Sequence, residues 1–501
     1  MNPTTHPDVV ILDGTSRKSK QELGGKAWSI DCMRSLGIEV PPAFVLTTAT
    51  CQRFYDNERT LPSDILEALP EAIAYLEGVT GRTFGSGERP LLVSVRSGAA
   101  QSMPGMMDTI LNLGMTDDIE AALARQSGDT DYAADTRRRF LAQFENVVGA
   151  AAPDQPWEQL TTAIEAVFAS WQSRRAIAYR KDRGLPDIGG TAVTVQAMVF
   201  GNLDEDSGTG VLFTRNPLSG DNAPYGEWLP RGQGEDVVSG RFDALPLDDL
   251  ARAKPSVHEK LMNAATLLEA NAADVQDIEF TIESGKLWLL QARSAKRSPE
   301  AAVKLAVAFH AEGRISPDAA LERITVDQVS ALLRPRLDSA TKASAILLAR
   351  GKSACPGIAS GVVVTDPFEA EDRADDEPIV LARPMTEPDD VAAMAVSAAV
   401  VTELGGATSH AAVVCREMGV PSVVGCGKGA LEELSGRVVT VDATAGEVYD
   451  GLLPVVESTV DDDPNLRVLV GWAQEELRRG AASELSEFLT RKLSAALPIE
   501  A

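Results

Sequence analysis

Imidazole chemistry has few places to occur in this chain, because only four histidines, His6, His258, His310 and His410, are present among 501 residues. One of them, His410, lies in the segment AAVVTELGGATSHAAVVCREMGVPSVVG. The apolar run Ala398 to Val401 predicts a strand, and Gly405-Gly406 permit a tight turn with positive φ. Thr408 or Ser409 can cap the helix that follows, and Gly419 ends it. His410 then sits on the first helical turn, where free N–H groups and the helix dipole favour an anion. Neutral imidazole is a competent nucleophile near pH 7, and a phosphorylated ring would meet backbone donors there. Taken alone, a histidine in this place could equally pack or cap.

Three other segments carry residues suited to phosphate chemistry. DIEFTIESGKLWLLQARSAKR reads as a β-hairpin with Asp277, Glu279 and Thr281 on one face. Its turn is Glu283-Ser284-Gly285-Lys286, and the return strand places Gln291 and Arg293 on one face. Two carboxylates on a strand can hold Mg²⁺ through hard oxygen ligands, and an arginine can clamp phosphate with its planar fork. A surface salt-bridge ladder would use the same residues. PLLVSVRSGAAQSMPGMMDTILNLG places Ser94 and Arg96 on one strand face before a Gly-, Ser- and Met-rich loop. That loop suits backbone approach to phosphate, though its methionines also suit packing. Gly24-Gly25-Lys26 opens a helix that ends near Gly37; the lysine can reach phosphate, or the glycines can simply start a helix. No GxxxxGK[ST] pattern and no protein-kinase signature occurs.

The elements that must position these residues are mixed α/β. Strand-like runs such as Leu91 to Val95 and Val193 to Val199 alternate with Ala/Leu-rich helical stretches. Leu333 to Gly351 reads as a connector, a β-rich region starts at Pro356-Gly357, and Glu369 to Glu377 is an acidic loop. An amphipathic helix is expected around Val468 to Leu489. The length suggests two to four domains. The net charge of -26 speaks against nucleic acid and anionic lipid as partners, so an anionic substrate needs a local basic pocket or a metal ion. No bilayer-spanning run and no signal peptide is read, and five cysteines without metal-ligand spacing fit a reducing cytosol, so a cytoplasmic location is expected.

GGxTSHAA closely resembles the phosphohistidine segment shared by the PEP-utilising enzymes. The remaining segments, with SWQSRRAIAYR, TAVTVQAMVFGN, SGTGVLFTRNPLSG and YGEWLPRGQGEDVVSG, resemble the nucleotide-binding domain of the pyruvate, phosphate dikinase family, and the similarity runs from Glu22 to about Leu453. The resemblance implies an α/β multi-domain protein. An ATP-grasp domain would cover 1–335, a linker 336–353, a swivelling β/β/α phosphohistidine domain 354–453, and a helical tail 454–501. It implies ATP as substrate and Mg²⁺ as cofactor. His410 would be the phosphorylated residue, Lys26, Arg96, Gln196, Glu235, Gln291 and Arg293 would bind nucleotide, and Asp277 and Glu279 would hold the metal. In that family ATP pyrophosphorylates the histidine, orthophosphate takes the outer phosphoryl group as pyrophosphate, and pyruvate accepts the remainder.

Three departures qualify the expectation. Ala407 replaces a methionine common before Thr-Ser-His, and the segment between Phe144 and Trp171 is shorter. The family's pyruvate-binding (β/α)₈ barrel needs about 250 residues, whereas 48 follow Leu453. The expected acceptor is therefore held by a partner protein or is another small molecule. The alternatives are a phosphotransferase for a different small molecule and a nucleotide-binding regulatory protein without turnover.

Overall fold

The computed structural model describes residues 6–100, 103, 107–182, 189–238, 244–333, 336–337, 339–406, 408–456, 459–480 and 483–496. The chain forms two compact units. One comprises Met1–Thr209, Pro230–Gln233 and Glu279–Arg293; the other comprises Gly210–Leu229, Gly234–Ile278 and Ser294–Ala501.

The first unit is built on an antiparallel five-stranded sheet. Its spatial order is Val9–Ile11, Ala43–Leu46, Ala192–Ala197, Val93–Gly98 and Thr109–Leu113. The three central strands are almost wholly buried, their polar residues included. Phe44, Phe54, Phe140, Phe144 and Phe168 fill the space between sheet and helices. Gln159, buried there, accepts from the Gly114 N–H and donates to the carbonyls of Met115 and Pro153, so the polar chain ends at that point are satisfied.

The helix expected to open at Gly24 does so, and a short capped turn precedes it. Ser19 and Glu22 form a capping box on a helix spanning Lys20–Ser35. Gly24 interrupts it at φ 73°, ψ 162°. A Cβ on Gly24 would lie 1.7 Å from the carbonyl oxygen of Gly98. Glycine is therefore required twice over, for the backbone angle and for the approach. The next N–H, of Gly25, donates to the Ala99 carbonyl at 2.9 Å. This backbone contact brings the lysine after the glycines to the end of the strand that carries Arg96.

The hairpin is as expected. Gln276–Glu283 turns through Ser284 (φ 47°) and Gly285 (φ 76°) into Lys286–Ser294. Two positive φ values in a two-residue loop match the right-handed twist of the strands.

In the second unit an eight-stranded sheet has the order Leu347–Arg350, Glu447–Asp450, Val438–Asp442, Ile358–Val364, Ile379–Arg383, Ala399–Thr402, Ser422–Val424 and Lys352–Cys355. Ile358–Val364 through Ser422–Val424 run parallel, and the flanking strands are antiparallel. The sheet begins at Leu347, within the segment read as linker. The acidic loop is partly a helix, Pro367–Arg373, in which Arg373 pairs with Glu369 and Glu377. Entry to this region, Arg336–Leu337, pairs antiparallel with its exit, Val455–Val456.

The single tail helix expected around Val468 to Leu489 is two helices, Pro464–Arg478 and Glu484–Ala496. Gly480 at φ 76° breaks the run, because a helix cannot continue through a left-handed residue. Leu466, Leu469, Val470, Leu485 and Leu489 bury against Val303, Ala306, Leu321 and Val329. Among the described residues no helix is long and apolar enough to cross a membrane, and no disulfide forms.

Gly24→Ala should lower the unfolding free energy by at least about 2 kcal/mol in denaturant titration, because strain and a backbone collision add. Gly37→Ala shares the positive φ (76°) but meets nothing within 4 Å, and should cost about 1 kcal/mol. Equal losses for the two would remove the collision from the account.

Candidate functional site

In the first unit the glycine turn, the Val93–Gly98 strand and the hairpin bring Lys26, Arg96, Glu279, Gln291 and Arg293 together. An Arg96 Nη lies 3.5 Å from Gln291 Oε1 and 3.8 Å from Glu279 Oε2. Lys26 keeps some solvent exposure but is densely surrounded. Burial first, then the charge of Arg96, pushes its ammonium down to about 7; Glu279 opposes this and Arg293 adds to it. Lys26, Arg96 and Arg293 thus gather near Glu279, an arrangement that invites an anion with several charged oxygens.

The other sequence candidates are placed differently. Gln196 is buried opposite Ser94 in the first sheet, and its Nε2 donates to the Pro41 carbonyl at 3.2 Å. Its side chain is thus engaged with backbone rather than with the cation cluster. Asp277 is buried on the same strand as Glu279, two residues earlier. Glu235 lies in the short helix Gly234–Val238. In the Met-rich loop Met103 is buried, Met107 packs on the aromatic core, and 101–102 and 104–106 fall outside the described residues.

In the second unit the strand Ala399–Thr402 leads through Gly405 (φ 112°) into the helix His410–Met418, closed by Gly419 at φ 70°. Ser409 occupies the N-cap position, with no hydrogen bond from its side chain to the first turn. The expected capping role of Thr408 is not what the structure has. Its hydroxyl donates to Glu227 Oε2 at 2.9 Å, so the residue joins the turn to a distant strand instead. Glu227 lies under the turn so closely that a Cβ on Gly406 would stand 2.6 Å from its carboxylate. Lys352 approaches the same carboxylate at 3.7 Å. Glu227, within YGEWLP, went unremarked in the sequence because its partner is far along the chain; a lone carboxylate in an otherwise apolar strand was the available signal.

Burial lowers the pKa of His410, and the Asp390 carboxylate raises it by less. The imidazole is therefore neutral at neutral pH. Among the described residues its Nδ1 is buried without a hydrogen-bond partner. A neutral ring at a helix start is poised to accept an electrophile rather than to hold a proton.

A family model described as the pyruvate phosphate dikinase AMP/ATP-binding domain matches residues 57–249, and one for the mobile domain of PEP-utilising enzymes matches 375–446. Pyruvate, phosphate dikinase of Rhizobium meliloti is 38% identical over 536 residues, covering 92% of this chain and 59% of that protein. That of Rickettsia conorii is 37% identical over 519 residues, covering 91% and 59%. Pyruvate, phosphate dikinase 1, chloroplastic, of Zea mays is 36% identical over 525 residues, covering 92% and 55%. The chain spans less than two thirds of the length of these relatives. The mixed α/β, multi-domain expectation holds.

If a polyphosphate binds against Lys26, binding favours the charged ammonium. Affinity should then be level below pH 7 and fall by about tenfold per pH unit above it. Calorimetric titration with ATP over this range tests the point. Lys26→Met should bind more weakly throughout and lose that pH dependence; a persisting slope would assign it to another group.

Proposed function

We propose, from the premise that this chain carries the AMP/ATP-binding and mobile domains of the pyruvate phosphate dikinase family, that it is an ATP-dependent phosphotransferase of dikinase type acting through His410. The observation that carries the reading is a neutral imidazole, Nδ1 unengaged among the described residues, at the first turn of a helix in the matched mobile domain. The ring attacks the β-phosphorus of ATP and AMP departs. Orthophosphate then takes the outer phosphoryl group as pyrophosphate, leaving phosphohistidine. An acceptor, pyruvate or another small molecule, held by a further protein segment or a partner, receives the last group.

In this reading Lys26, Arg96, Gln291 and Arg293 bind the phosphates, as the charge cluster supports. Gln196 and Glu235 line the nucleotide by family analogy. Arginine suits this role because its planar fork matches phosphate geometry, and transfer is governed by charge stabilisation and alignment. Asp277 and Glu279 would hold Mg²⁺. Among the described residues no group of three or more metal-binding side chains occurs, so phosphate oxygens and water would have to complete the set. That division is the usual one for this ion. Mg²⁺, when bound, neutralises charge that develops on the phosphates.

The test uses Mg²⁺ and ATP labelled at the β- or γ-phosphate, with and without orthophosphate, alongside His410→Ala. Acid-labile β-label on the wild type only, with AMP released, is the expected result. ADP with only γ-label on the protein would show a kinase of another kind, and no label would favour a regulatory protein. Because burial lowers the pKa of His410, labelling should hold its plateau to below the ordinary histidine value of about 6.5 and decline only under it. A decline centred above that value would contradict the neutral-ring account.

A further inference from the structure

The histidine helix is held at its far end as well as at its turn. Arg416, nearly two turns beyond His410, is almost fully buried. Its Nη1 donates to the Ala354 carbonyl at 3.3 Å, and its guanidinium carbon stands 5.8 Å from the centre of the Phe213 ring. The Tyr225 hydroxyl and the Asp277 carboxylate are near enough to act on its charge. The next residue, Glu417, pairs with Lys296 at 3.1 Å; the carboxylate is mostly buried and the lysine about half exposed. Phe213, Tyr225, Asp277 and Lys296 all belong to the same unit as the histidine helix, on segments that precede its sheet in the chain.

A guanidinium is costly to bury, and the aromatic face and the carbonyl beside it offset that cost only when the helix is seated. A helix tied only through Thr408 can pivot about its turn. One tied again about 10 Å away cannot. We propose that Arg416 and Glu417 are positioning residues, which seat the helix on Phe213 and Lys296 and so fix the direction in which His410 is presented. The proposal rests on the reading of His410 as phosphoryl acceptor for its consequence, but not for the seating itself.

A charge exchange in the full chain tests it, with three readouts: amide hydrogen exchange of peptides covering 208–229 and 405–418, ATP-dependent labelling of His410, and ATP affinity. Lys296→Glu and Glu417→Lys should each raise exchange in both peptides and slow labelling by about threefold to tenfold, with ATP affinity unchanged. The double exchange should restore both to within about twofold of wild type. Arg416→Met should slow labelling further, and Arg416→Lys should recover little, since lysine keeps the charge but not the planar face. If Arg416→Met also deprotects the Ile358–Val364 and Ile379–Arg383 strands, Phe213→Leu replaces it and should give the same slowing. Wild-type exchange in the single reversals, or a double exchange no better than the worse single, would overturn the proposal. If the wild type takes no label at all, the phosphotransfer reading falls while the exchange measurements still decide the seating.

Discussion

Lys26, Arg96 and Arg293 are held together beside Glu279 in a chain of net charge -26. That repulsion is the constraint on which much else depends. Left to themselves, the side chains would separate into solvent. They are kept together by backbone: the glycine turn lies on the Gly98 carbonyl, the hairpin holds Glu279 and Arg293 on adjoining strands, and the sheet fixes Arg96. Burial first, and after it the nearness of Arg96 and Arg293, depresses the pKa of Lys26. An anion placed among them would relieve the repulsion.

The histidine turn solves the opposite problem. A neutral ring must be displayed without being used up by a protein hydrogen bond. The turn is therefore supported from behind, by the Thr408 hydroxyl and the close approach of Gly406 to Glu227, while the ring itself is left unengaged among the described residues. Gly405 and Gly406 answer to different needs, a positive φ at one and space for a carboxylate at the other.

Local features were legible in the sequence. The helix from His410 to Gly419, the Ser284-Gly285 turn and the alternation of the hairpin all follow from residues within a few positions of one another. What was not legible depends on distant partners. Thr408 read as a cap because local caps are all that a sequence displays, whereas its partner lies 181 positions away. The turn that Ser19 and Glu22 cap was not legible, because Gly24 breaks it off from the helix that follows. The tail read as one helix because its apolar spacing survives the interruption at Gly480. Gln196 kept its place in the sheet, yet the carbonyl that takes its amide comes from another part of the chain.

The pairing of Arg336–Leu337 with Val455–Val456 gives the intervening region a closed neck. Paired strands lie about 5 Å apart, so the chain leaves almost where it came in. Such a region is topologically a cassette: it can be lengthened, exchanged or lost in evolution without rerouting the chain on either side. Change within the cassette is thereby separated from the fold on either side of it.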